Sequence, residues 1–194
     1  MTDNSSLFLR RKICPDELDE LIDQAKRDEG DAISRLCKYA YAHVYAFLYY
    51  RVARPEDAED LTSEVVLKII KALKKQRGNF HAWMYRIARN RLIDFYRQRA
   101  VRAEVSMNDV APKDLSKGDE FSKQIMTKEK LRKGLEQLTD EQRQVIILKF
   151  IEGYANREIA EIVGKSVGAV KVLQFRALRA LRAYFLRRGY EAKD

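Results

Sequence analysis

Between Asn156 and Arg176 the chain spaces a small residue, a glycine and an apolar residue as a helix-turn-helix requires. Ala160 is small enough for a second helix to cross the first at close range. Gly164 takes the φ > 0 conformation of the turn at little steric cost. Val170 plugs the inner face of the second helix, while Ile159 and Val163 complete the apolar side of the first. Ser166 is placed to cap the second helix. Lys171, Arg176, Arg179 and Arg182 follow on that helix. Two folded contexts fit this pattern: a helix laid in a DNA major groove, or a helical hairpin of an ordinary bundle with arginines as its solvated face.

Glycine and proline number only 8 and 3 in 194 residues, too few for a sheet-rich, turn-rich protein. The expected fold class is therefore all-α, as one large domain or two small ones. A net charge of +9 favours a polyanionic partner, nucleic acid or an acidic membrane surface. No apolar run approaches the ~20 residues of a membrane span, so no membrane insertion is expected. In the segment Met1 to Lys12 the basic residues follow the apolar patch, the reverse of a secretion signal. Cys14 and Cys37 have no metal-like spacing with His43 or His81 and read as thiols of a reducing cytoplasm, so neither a metal nor a cofactor is expected.

Helical periodicity divides the chain into two blocks. Asp16 to Lys26 carries Leu18, Leu21, Ile22 and Ala25, a short helix that Gly30 should stop. Asp31 should cap a longer helix with Ile33, Leu36, Ala40, Val44 and Phe47 on one side. Its tyrosines, Tyr39, Tyr41, Tyr45, Tyr49 and Tyr50, circle it too broadly for one surface and are assigned mostly to packing. Pro55 opens a third helix at the position where its missing N–H costs nothing. Glu56, Asp57, Glu59 and Asp60 crowd its positive end, and Ala58, Leu61, Val65, Ile69 and Leu73 form its inner stripe. After a break at Gly78-Asn79, a fourth helix is buried through Met84, Ile87, Ala88, Leu92 and Phe95. The apolar period then disappears from Arg102 to about Lys123, which reads as a linker. It returns with Ile125, Leu131 and Leu135, and Thr139 with Gln142 fits a capping box ahead of a helix that Gly153 ends.

The segment Lys74 to Arg102 holds nine lysines and arginines with Asp94 as its only acid, interleaved with Phe80, Trp83, Tyr85, Phe95 and Tyr96. Trp83, Arg86, Asn90 and Arg97 fall on one helical stripe, apart from the buried one. Cations along a backbone with aromatic faces nearby suit single-stranded nucleic acid. The alternative is that Trp83 and Phe95 are core and the arginines solvated. No cluster of carboxylates, His or Cys at catalytic spacing stands out, which argues against an enzyme.

Taken together, Asp57-Ala58-Glu59-Asp60-Leu61, the run Phe80 to Asn90 (with Trp83-Met84-Tyr85-Arg86-Ile87-Ala88-Arg89-Asn90 its most specific part) and Glu158 to Gly164 resemble the extracytoplasmic-function (ECF) sigma factors. These are promoter-specificity subunits of bacterial RNA polymerase. The resemblance implies a sigma-2 four-helix domain over residues 16–101 and a sigma-4 helix-turn-helix domain over 124–188. A flexible linker over 102–123 would join them, leaving an extension over 1–15 and a tail over 189–194. It implies that Asp57, Asp60, Leu61 and Glu64 meet the β′ clamp coiled coil of core polymerase. It gives the −10 element to Asn79, Phe80, Trp83, Arg86, Arg89, Asn90 and Arg97. The −35 element falls to Arg157, Ser166, Lys171, Gln174, Phe175, Arg176 and Arg179. Contact with the β flap, control by an anti-sigma factor and a cytoplasmic location are implied as well. Two stretches depart from the family pattern. Thr62-Ser63-Glu64-Val65-Val66 stands where many members carry Gln-Glu-Val-Phe, and Lys171-Val172-Leu173-Gln174 replaces Lys-Ser-Arg-apolar, so either Leu173 or Gln174 could face DNA. The competing function is a stand-alone helix-turn-helix regulator that needs no polymerase.

Overall fold

The computed structural model describes residues 13–105 and 128–189, and all regular structure among them is helical. The described residues divide into two compact units: 13–92 with 161–164, and 93–105 with 128–160 and 165–189. Most of the expected linker, together with Ile125, lies outside the described residues.

In the first unit α1 spans Pro15–Lys26 and buries Leu18, Leu21, Ile22 and Ala25. Its end differs from the expectation placed on Gly30. Asp28 takes the left-handed turn at φ 66, a conformation that aspartate adopts more readily than most residues. Gly30 is thereby released to open α2, Gly30–Tyr49, after Glu29. Asp31 is not the cap; it lies inside the first turn, where its charge suits the helix dipole. α3, Pro55–Ala72, begins on its proline and buries Ala58, Leu61, Val65 and Ile69 as expected, with Thr62 as well. The Thr62 hydroxyl reaches this interior because it donates to the Ala58 carbonyl at 2.6 Å.

A short 3₁₀ turn, Leu73–Lys75, leads to the break. Gly78 sits at φ 71, and the buried Gln76 amide donates to the Gly78 carbonyl at 2.6 Å. Asn79 Oδ1 then accepts from the Ala82 backbone N–H at 2.9 Å, capping α4, Phe80–Val105. Met84, Tyr85, Ala88 and Leu92 fill the inner face of α4, and Tyr85 meets Phe47 of α2 at 5.2 Å between ring centroids. Tyr85 is fully buried, so it is core rather than one of the interleaved surface aromatics.

Beside this core His81 shares a 2.7 Å hydrogen bond with the Tyr39 hydroxyl. Burial, and then neighbouring His43, push His81 down to about 4. In the unfolded chain the ring takes up a proton near 6.5, so it is the unfolded state that gains protons between those values. Stability should be level above about pH 7 and fall as the pH drops from about 6.5 to about 4, by at most about 3 kcal/mol. Urea midpoints at about pH 7.5 and about pH 5 check this. The drop should be larger in the wild type than in His81→Gln; equal drops would contradict it.

In the second unit, a helix over 128–135 (α5) is joined to α6, Asp140–Ile146, by a loop bound through one side chain. The Arg143 guanidinium donates to the carbonyls of Leu135, Glu136 and Leu138. Thr139 and Gln142 form the expected capping box. α6 runs on into one wide π turn, Ile147–Ile151, before Gly153 at φ 79 ends it. α7, Asn156–Val163, and α8, Val167–Leu186, form the helix-turn-helix. Gly164 has φ 67, Lys165 N–H donates back to the Ala160 carbonyl, and Ser166 caps α8 by accepting from Ala169 N–H at 3.2 Å. Ile159, Ala160 and Val170 are buried at the crossing.

Candidate nucleic-acid interfaces

Because Val170, Ala177, Leu181 and Tyr184 point inward, the opposite side of α8 is fixed. That side carries Gly168, Lys171, Val172, Phe175, Arg176, Arg179 and Arg182, all exposed. α8 contains no carboxylate, so its cations are not neutralised along their own helix. Phe175 is 68% exposed and Val172 48%. Arg157 is exposed at the head of α7, and Ser166 spends its hydroxyl on the cap. Gln174 sits at the flank of this face rather than on it. Its amide Nε2 donates to Asn156 Oδ1 at 2.9 Å, tying α8 to the start of α7. Leu173 is half-buried on the other flank.

On α4 the arrangement is similar. Arg86, Arg89, Asn90 and Arg97 are exposed, with Trp83 half-buried among them. Asn79 is exposed at the start, its side-chain oxygen engaged as the cap. Phe80 is placed differently from the expectation of an exposed surface ring. It is 5% exposed and packs 5.8 Å from Trp83, supporting that ring from beneath. An aromatic ring at the first position of a capped helix turns inward when the unit has apolar space to fill.

α3 presents Glu56, Glu59, Asp60, Ser63, Glu64 and Leu67 outward, with Asp57 half-buried. Leu61 is 2% exposed and belongs to the inner stripe, so it holds the helix in place rather than offering a contact. Glu64 is bound by Arg91 of α4 through two guanidinium nitrogens. That hydrogen bonding holds the Glu64 carboxyl below its ordinary value.

The chain matches sigma-70 region 2 over residues 36–102 and sigma-70 region 4 over residues 128–181. It is 33% identical over 150 residues to the ECF RNA polymerase sigma factor SigX of Bacillus subtilis, covering 73% of this chain and 77% of that one. The chain belongs to the ECF RNA polymerase sigma factors. Identity to the ECF sigma factor BldN of Streptomyces coelicolor is also 33%, over 167 residues and 84% of this sigma factor, which spans 63% of BldN's length. The fold is shared with CnrH, solved with the cytosolic domain of CnrY, at a TM-score of 0.64 and 24% identity, over 86% of this chain and 95% of that one. With this membership the stand-alone regulator reading is not favoured.

Two features of this sigma factor escaped the sequence. Val172 stands exposed on the basic side of α8, a placement not expected from the sequence, although an apolar residue four before Arg176 is visible in the pattern. The tyrosines of α2 do share a surface in part. Tyr41, Tyr45 and Tyr49 are spaced by four; Tyr41 stacks on Tyr45 at 6.1 Å between centroids, and Tyr49 meets Tyr45 tilted at 5.7 Å. Burial and then Glu59 push the Tyr45 hydroxyl up to about 12, so Tyr45 stays neutral beside the acidic start of α3. Among the described residues no group of three His, Cys, Asp or Glu could hold a metal, and no helix is long and apolar enough to cross a membrane.

Proposed function

We propose that this sigma factor joins core RNA polymerase through the acidic face of α3, reads a −35 element with α8, and holds the opened −10 strand along α4. It works by binding, not by chemistry, in the cytoplasm, on a promoter that the polymerase then transcribes. The β′ clamp coiled coil is the partner of α3, the β flap that of the second unit, and an anti-sigma factor the regulator that covers them. One observation supports this most: of two cation-rich, carboxylate-poor helix faces, the Trp83–Asn90 part of α4 belongs to the first compact unit and α8 to the second. Phosphate contacts would position each unit, and a stacked base at Trp83 would contribute about 1–3 kcal/mol. Trp83→Ala should therefore lower strand opening by holoenzyme roughly 5- to 100-fold, with Trp83→Phe restoring most of it. Permanganate reactivity of −10 thymines reads this out, and unchanged reactivity in Trp83→Ala would remove the assignment.

Gly168 supports the −35 half of the reading. A Cβ added there would meet only the Ser166 hydroxyl oxygen, at 3.9 Å, so the fold itself leaves room for a side chain. Gly168→Ala is expected to raise stability by up to about 1 kcal/mol and nonetheless weaken −35 binding, because the bare backbone lets the helix approach DNA closely. Thermal unfolding and duplex titration measure the two effects; undiminished binding would show that no close approach occurs.

A further inference from the structure

We propose that the −35 element is read through thymine 5-methyl groups seated against Val172 and Phe175, while Gln174 braces the helix-turn-helix and reads no base. The inference rests on the −35 reading above and deepens it. Val172 and Phe175 are 48% and 68% exposed, three residues apart and so neighbours on the outward side of α8. They lie within the first three turns after the Ser166 cap, the part of a recognition helix that reaches base edges. About two-thirds of the Phe175 side chain faces outward, and leaving so much apolar ring in water is unfavourable.

The chemistry around the pair selects its occupant. Lys171, Arg176, Arg179 and Arg182 flank it on the same helix side, with no carboxylate on α8. An apolar protein partner would leave those cations uncompensated in a desolvated contact. A DNA major groove supplies both needs, phosphates on its rims and, on its floor, thymine methyls as the apolar feature of the base edges. Gln174 would be the ordinary reader of adenine through a bidentate amide. Here its Nε2 already donates to Asn156 Oδ1 at 2.9 Å and its side chain is half-buried at the flank of the face. Turning it to a base would release α7 from α8 at the point where the two helices must keep their angle.

The test uses the full chain with core polymerase on a promoter duplex in which single −35 thymines are replaced by deoxyuridine, which removes only the methyl. Wild-type holoenzyme should lose about fourfold in affinity for each contacted methyl, with the slope of log K against log salt unchanged. Phe175→Ala holoenzyme should bind the thymine duplex more weakly and distinguish thymine from uracil less than twofold at the position it covers. Gln174→Ala should keep the base preference at every −35 position. Wild-type indifference to uracil throughout the element, full methyl discrimination in Phe175→Ala, or lost adenine preference in Gln174→Ala would each overturn the inference. Methyl indifference in a holoenzyme that still initiates at its promoter would leave the −35 reading standing. A holoenzyme that finds no promoter would bring down both.

Discussion

Phe80→Ala should lower the stability of the first unit by about 3–5 kcal/mol, a large part of the 5–15 kcal/mol that about one domain possesses. The ring is 5% exposed, sits directly after the Asn79 cap and lies against Trp83. Its removal leaves a cavity under the surface proposed to hold the opened strand. Trp83 is the single tryptophan of the chain, so its fluorescence reports the urea transition of this unit in the intact protein. Phe80→Leu, which keeps most of the volume, should cost under about 1.5 kcal/mol and retain strand opening. A stable Phe80→Leu protein that cannot open the −10 region would mean that a base touches the ring itself, contrary to this placement. A Phe80→Ala loss below about 0.5 kcal/mol would mean that the ring is a surface group.

Arg176→Ala is expected to leave stability within about 0.5 kcal/mol and to reduce affinity for the −35 duplex by roughly 10-fold or more, the scale of a charged hydrogen bond. Arg176 is exposed on the outer side of α8, beside Val172 and away from the buried residues Val170 and Ala177. If it meets a phosphate, the slope of log K against log salt becomes shallower by about 0.9, and the loss is the same for all −35 sequences. A loss confined to certain base pairs, with the slope unchanged, would place Arg176 on a base edge instead. The two prospective roles are thus separated by titrating salt and sequence in one variant.

The parts of this fold that were legible in the sequence are those where one residue type meets a local geometric demand. Gly164 at φ 67, Ser166 as the α8 cap, the Thr139 and Gln142 capping box, Pro55 at the start of α3 and Gly78 at the break all follow from backbone sterics and orphan N–H groups. Where two residue types can satisfy the same demand, the sequence misleads: Asp28 took the left-handed turn expected of Gly30. The π turn at Ile147–Ile151 uses ordinary helix residues and has no local signature. Side-chain roles were harder still. Phe80, Tyr85 and Trp83 are neighbours in one basic run, yet the first two are buried and the third only half so. That division depends on which side of α4 the other helices cover, not on periodicity within α4. The commitment of Gln174 to Asn156 joins residues eighteen apart and exists only once α7 and α8 have crossed.

The most direct test of the account combines the purified full-length chain with core RNA polymerase on a promoter library. The two should co-elute, and initiation should begin at a shared set of sites that neither the core enzyme nor the isolated chain selects by itself. A chain that ignores core polymerase and footprints specific DNA on its own would contradict the central claim.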